Sequence, residues 1–157
     1  MNHITLLGLA SAATLFGLAV PAMSGDLPAG AVSLTPSQLT WKPGRVPGIE
    51  GAALLGSSKA EGPYIERVRF PANFVIQAHS HPEERNYTIL SGTWYIGYGD
   101  KFDETKLQAL PAGSFYVEPA GRNHFVATKD EPVVLQLGGM GPTATDFLDP
   151  AHAPKPK

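Results

Sequence analysis

From Gly51 onward, the apolar residues of this chain come in runs too short for helices. Ala52–Leu55, Tyr64–Phe70, Phe74–His79, Tyr87–Leu90, Thr93–Tyr98, Lys106–Leu110, Ser114–Val117, His124–Thr128 and Val133–Leu137 are strand-length, and each is bounded by Gly, Pro, Asn or Asp. Pro71-Ala72-Asn73, Leu90-Ser91-Gly92, Pro111-Ala112-Gly113 and Pro119-Ala120-Gly121 supply the turns between them. No segment after residue 25 sustains a 3.6-residue period, and Asp103–Lys106 offers at most one helical turn. Such punctuation predicts an all-β domain, a sandwich or a barrel. With 157 residues the chain is long enough to bury one substantial core.

Three of the five histidines fall within or just beyond these strands. His79 and His81 are two residues apart. On a strand they share one face, with Cα atoms about 6–7 Å apart, and two imidazoles at that spacing can converge on one ion. On a helix, residues two apart would diverge. His124 opens a later strand, and as a third ligand it would leave coordination positions open for water or substrate. His3 and His152 lie in the apolar leader and the Pro/Lys tail and receive no function.

The segments around these histidines read His79-Ser80-His81-Pro82-Glu83-Glu84-Arg85-Asn86-Tyr87-Thr88-Ile89-Leu90-Ser91-Gly92 and Gly113-Ser114-Phe115-Tyr116-Val117-Glu118-Pro119-Ala120-Gly121-Arg122-Asn123-His124-Phe125-Val126-Ala127-Thr128. Both resemble the paired motifs of the cupin family. Gly92, Gly113, Pro119, Gly121 and His124 fall in place, and Thr128 stands where asparagine is usual. The resemblance spans about residues 63 to 141. It implies a double-stranded β-helix, the jelly-roll barrel. It also implies one divalent transition metal (Fe, Mn, Ni or Zn) held by His79, His81 and His124.

One position departs from the family. Its glutamate ligand belongs at residue 85, where this chain has Arg85. An arginine has no lone pair to give and repels a cation. Three outcomes follow. The site can be a three-histidine site, as in the cupin cysteine dioxygenase and diketone-cleaving enzymes. A one-residue bulge can turn Glu84 inward. Or metal binding is weak or absent. Arg85 can recognise a substrate anion through its guanidinium fork, or simply pair with Glu83 or Glu84. Tyr87 shares the inner face with Arg85 and can donate its hydroxyl to bound oxygen, or serve as a core tyrosine. Gln136, mid-strand among apolar neighbours, is a candidate pocket-lining group. The candidate catalytic residues are thus Arg85, Tyr87 and Glu84.

Cysteine is absent, which removes disulfides, thiolate metal sites and a cysteine nucleophile. A formal net charge of -2 gives no electrostatic case for nucleic acid or an anionic membrane as partner. Residues 4–20 are almost wholly apolar or small and end in Pro21-Ala22-Met23-Ser24, which resembles a secretory signal peptide although the first three residues carry no Lys or Arg. The expected organisation is a signal peptide over 1–24, an arm over 25–48, the barrel over 49–148 and a mobile tail over 149–157. After leader cleavage no stable membrane insertion is expected, and the periplasm or the cell exterior is the expected location. Leu34, Leu39 and Trp41 in the arm suggest a homodimer.

The functional expectation is an exported cupin acting on a small anionic or enolisable molecule through one metal ion, in oxygenase or Lewis-acid fashion. The alternative is a non-catalytic small-ligand-binding or sensor cupin with weak or no metal.

Overall fold

The computed structural model describes residues 27–154. The expected leader lies outside the described residues. Among those residues, no helix is long and apolar enough to cross a membrane. Eleven strands form: β1 (Lys42–Pro43), β2 (Glu50–Leu55), β3 (Gly62–Phe70), β4 (Val75–Ser80), β5 (Arg85–Ser91), β6 (Thr93–Tyr98), β7 (Gln108–Pro111), β8 (Phe115–Glu118), β9 (His124–Ala127), β10 (Val133–Gly141) and β11 (Asp146–Phe147). Single 3-10 turns at Pro36–Gln38, Glu104–Lys106 and Pro150–His152 are the helical content among the described residues.

The strands make two antiparallel sheets, ordered β1-β2-β3-β10-β5-β8 and β11-β4-β9-β6-β7. Alternation along the strands decides which side chains meet between them. On β5, Arg85, Tyr87 and Ile89 are buried while Asn86 and Leu90 are exposed. On β6, Trp94 and Ile96 turn inward. Tyr87, Ile89, Trp94 and Ile96 close on Tyr64, Val68, Phe70, Val126, Val133, Leu135 and Leu137 as one apolar core. The polar site sits on the same inner faces, so the core is the floor on which it rests.

Every strand expected from the sequence is present within a few residues. Two were not foreseen. β1 lies inside the segment read as an arm and pairs with β2 (Lys42 opposite Gly51). Beside it, the Arg69 guanidinium lies 4.5 Å from the Trp41 ring centroid, and Val46 packs on the core. β11 pairs with β4 (Phe147 opposite His79). Two residues carry too little pattern to be seen as a strand in a sequence. Gln136 is also corrected. Leu135 and Leu137 face the core, so Gln136 faces outward, where its Oε1 accepts from Arg67 Nε at 3.3 Å.

The turn glycines hold the sheets in register. Gly92 has φ +73°, and a Cβ there would lie 2.5 Å from the Pro132 carbonyl oxygen. Thr128, in the place of the family's asparagine, clamps the turn before β4. Its hydroxyl accepts from Phe74 N (3.0 Å) and donates to the Pro71 carbonyl (2.7 Å). Replacing Gly92 with alanine should destabilise the fold by roughly 1–3 kcal/mol, from backbone strain and the carbonyl clash. Denaturant titration should show a lower midpoint with an unchanged slope.

Candidate metal centre

β4 and β9 run antiparallel with His79 directly opposite His124, so the ladder itself sets two imidazoles side by side. Their ring centroids are 4.1 Å apart. His81, two residues beyond His79, brings its ring to 5.0 Å from His79 and 5.1 Å from His124. The turn of the second motif is tied to the first motif here, because Gly121 N donates to the His81 carbonyl at 2.7 Å. Gly121 makes that turn at φ +67°. All three histidines are buried, and one nitrogen from each lies within 4.8 Å of the others.

The ring orientations follow from simple donor counting. Nδ1 of His79 lies 2.7 Å from the Gln77 carbonyl, that of His81 lies 2.8 Å from the Ala144 carbonyl, and that of His124 lies 2.9 Å from the Arg122 carbonyl. A carbonyl only accepts, so each Nδ1 carries the proton and each Nε2 is left with a lone pair. Burial reinforces neutrality. Desolvation lowers the pKa of His79 to about 4, of His81 to about 2 and of His124 to about 3, and Arg85 pushes all three the same way. Three neutral imidazoles with convergent Nε2 lone pairs, each held by an outer carbonyl, are a donor set suited to one divalent transition metal.

Arg85 faces inward as its strand parity demands, but it is engaged. Its Nε donates to Glu83 at 2.6 Å, Nη1 donates to His81 Nε2 at 3.0 Å, and Nη2 donates to Thr143 Oγ1 and, at 3.1 Å, to the Ala144 carbonyl. Glu83 in turn accepts from Tyr64 (2.9 Å) and from Thr143. Burial alone would raise the Glu83 pKa, yet its hydrogen bonds from Thr143 and Arg85 win and lower it. The fork expected to receive a substrate anion is therefore occupied by groups of the chain itself. Glu84 is exposed, and the regular register of β5 with β8 leaves no bulge there to turn it inward. Tyr87 is buried. Its ring stacks on Tyr116 at 4.5 Å, and its hydroxyl faces Arg85 and Glu118.

Glu118 was not singled out from the sequence. It is 1% exposed, sits opposite Arg85 in the β5/β8 ladder, and brings its carboxylate to 3.5 Å from His81 Nε2 and 3.2 Å from His124 Nε2. Desolvation raises its pKa to about 8. A glutamate before Pro119 at the end of a strand paired with Arg85 was the available signal, but the strand pairing that gives it meaning is long-range. At the rim, Tyr98 pairs with His124 and its ring lies 6.5 Å away. A cleft of about 250 Å³ opens there, lined by Tyr98, Gly99, Asp100, Gly121, Arg122 and Asn123.

The buried histidines make the metal-free protein acid-sensitive. Their folded pKa values lie below that of a free imidazole, so the unfolded chain binds more protons between about pH 4 and pH 6.5, and stability falls as pH falls through that window. Glu118, raised, acts in the opposite direction between about pH 4.5 and pH 8, but it is one group against three. Denaturant titration of the metal-free protein should lose on the order of 2 kcal/mol between pH 6 and pH 5. His79→Asn should reduce that loss.

The ChrR cupin-like domain family matches residues 29–144. No curated protein sequence matches the chain significantly. Among solved structures, the polyketide cyclase RemF from Streptomyces resistomycificus superposes with a TM-score of 0.65 at 14% identity, over 78% of this chain and 88% of that one. An RmlC-like cupin protein from Ralstonia eutropha JMP134 gives 0.59 at 16%, over 79% and 76%. The DMSP lyase DddQ from Ruegeria pomeroyi DSS-3 gives 0.55 at 17%, over 73% and 71%. At these identities the likeness is one of fold, and it agrees with the two-sheet jelly roll. Since the family match covers well over half of the sequence and takes in both histidine segments, the chain belongs to the ChrR cupin-like family.

Proposed function

We propose that this protein is an exported enzyme that uses one divalent transition metal to transform a small anionic or enolisable molecule. The observation that carries the reading is the convergence of three buried, neutral imidazoles, each with its Nδ1 proton held by a backbone carbonyl. His79, His81 and His124 would hold the ion, which supplies Lewis acidity or, if iron, a seat for dioxygen. The solved relatives named as a cyclase and a lyase act on small molecules, which supports an enzyme over a purely structural domain.

With Arg85 engaged, the substrate anion falls to the rim. Arg122 is exposed beside the cleft, and Tyr98 borders both the cleft and His124. Arg122 orients the acidic end of the substrate, while the Tyr98 hydroxyl donates to its oxygen. The dry floor of Tyr87, Tyr116 and Trp94, linked by the stack and by the Trp94 Nε1 bond to Tyr116 (3.0 Å), excludes bulk water. Export rests on the apolar leader at residues 4–20. Self-association into a homodimer is part of the same proposal and is supported by Phe115 and Val117, which expose apolar surface on the edge strand β8.

One contact favours the second reading, a ligand-binding cupin with little metal. Arg85 Nη1 occupies the His81 lone pair that an ion would need. Elemental analysis of protein expressed without a histidine tag separates the two. Stoichiometric metal in the wild type, lost in His124→Ala, supports the enzyme; a metal-free wild type that cannot be loaded supports the binding module. Arg85→Gln should raise zinc affinity at least about tenfold by removing a neighbouring cation. The same change should lower thermal stability, because Glu83 is left buried without its ion-pair partner. Competition with a chelating dye and thermal denaturation read the two effects separately.

A further inference from the structure

Glu118 faces two of the histidines across a narrow buried gap. Nε2 of His124 presents a lone pair and that of His81 one shared with Arg85 Nη1, because their protons are committed at Nδ1. Facing them are the two carboxyl oxygens of Glu118, at 3.5 Å from His81 and 3.2 Å from His124. Both separations are longer than the roughly 2.5–3.0 Å of a hydrogen bond donated by a hydroxyl, in a place from which water is excluded, since the Glu118 side chain is 2% exposed. A cation between them accounts for that spacing. Donors that share one ion at bonds of about 2.0–2.2 Å sit roughly 3–3.6 Å apart. The observed separations have that size.

Resting on the metal reading above, we infer that Glu118 is itself a ligand, so that the centre is three histidines and one glutamate. The carboxylate missing from β5 at Arg85 is supplied from β8 by the residue directly opposite it in the ladder. Arg85 is taken up by Glu83, His81, Thr143 and the Ala144 carbonyl, so its guanidinium does not claim the Glu118 carboxyl, which turns to the imidazoles. Its negative charge also offsets part of the repulsion between Arg85 and the ion. Coordination by residues from β4, β8 and β9 would then tie the two sheets together through the metal, because β8 belongs to one sheet and β4 and β9 to the other.

Cobalt(II) is the probe, because its visible spectrum reports the donor set, and zinc competition gives the affinity. The variants are Glu118→Gln and Glu84→Gln, the latter an exposed carboxylate in the same region. Glu118→Gln should weaken binding by more than about 100-fold, beyond the roughly 10–100-fold typical of losing an outer-sphere partner, and should change the cobalt spectrum. Glu84→Gln should change neither. An unchanged spectrum in Glu118→Gln, at any loss of affinity up to about 100-fold, overturns the assignment and leaves a three-histidine centre. A wild type that binds neither ion overturns the metal reading and this inference with it. If Glu118→Gln does not fold, infrared difference spectra of the wild type with and without zinc decide: a shifted glutamate carboxyl band supports ligation, and its absence refutes it.

Discussion

The antiparallel pairing of β4 with β9 is the constraint from which the rest of the site follows. It fixes His79 opposite His124 and places His81 on the same inner face. Because side chains alternate along a strand, a slip of one residue in this ladder would turn His79 outward and displace His81 just beyond the end of β4. The apolar core beneath, with Ile89, Leu135 and Val133 fully buried, resists such a slip: it would expose Ile76 and Val126 on one side and bury polar groups on the other. Packing and chemistry thus select the same register, which is the kind of agreement across levels that specifies a single native state.

Burial determines the electrostatics as firmly as geometry does. The imidazoles are driven neutral, and Glu118 is pushed toward its protonated form. Arg85 keeps its charge because Tyr87, Tyr64 and Glu83 outweigh the desolvation that would remove it. The result is a cluster of mixed character in which Arg85 is shared between Glu83 and His81, while Glu118 faces His81 and His124 and one oxygen of Glu83 has no partner. Such unevenness is costly to a core and useful at a site.

Much of this was legible in the sequence. Short runs between turn formers announced the β architecture, and the spacing of His79, His81 and His124 announced their meeting. Arg85 was visibly in the place of a carboxylate. What could not be read was which partners the long-range pairing would supply. Glu118 acquires its meaning only because β8 lies beside β5, and Thr143 and Ala144 become partners of Arg85 only because the segment after β10 folds back over it. Reasoning along the strand gave Glu84 as the alternative carboxylate; reasoning across the ladder gives Glu118. β1 and β11 escaped because two-residue strands have no period to detect.

The ring of His81 is oriented by a carbonyl at Ala144, which belongs to neither histidine motif. Heredity of the site is therefore not modular. Grafting the two motifs onto another jelly roll would transplant the nitrogens but not the group that selects their tautomer. A related chain could keep every histidine and still lose the centre through drift in the stretch between β10 and β11. Comparison of family members by motif alone would count such a chain as intact, whereas its imidazole would be free to present the wrong edge.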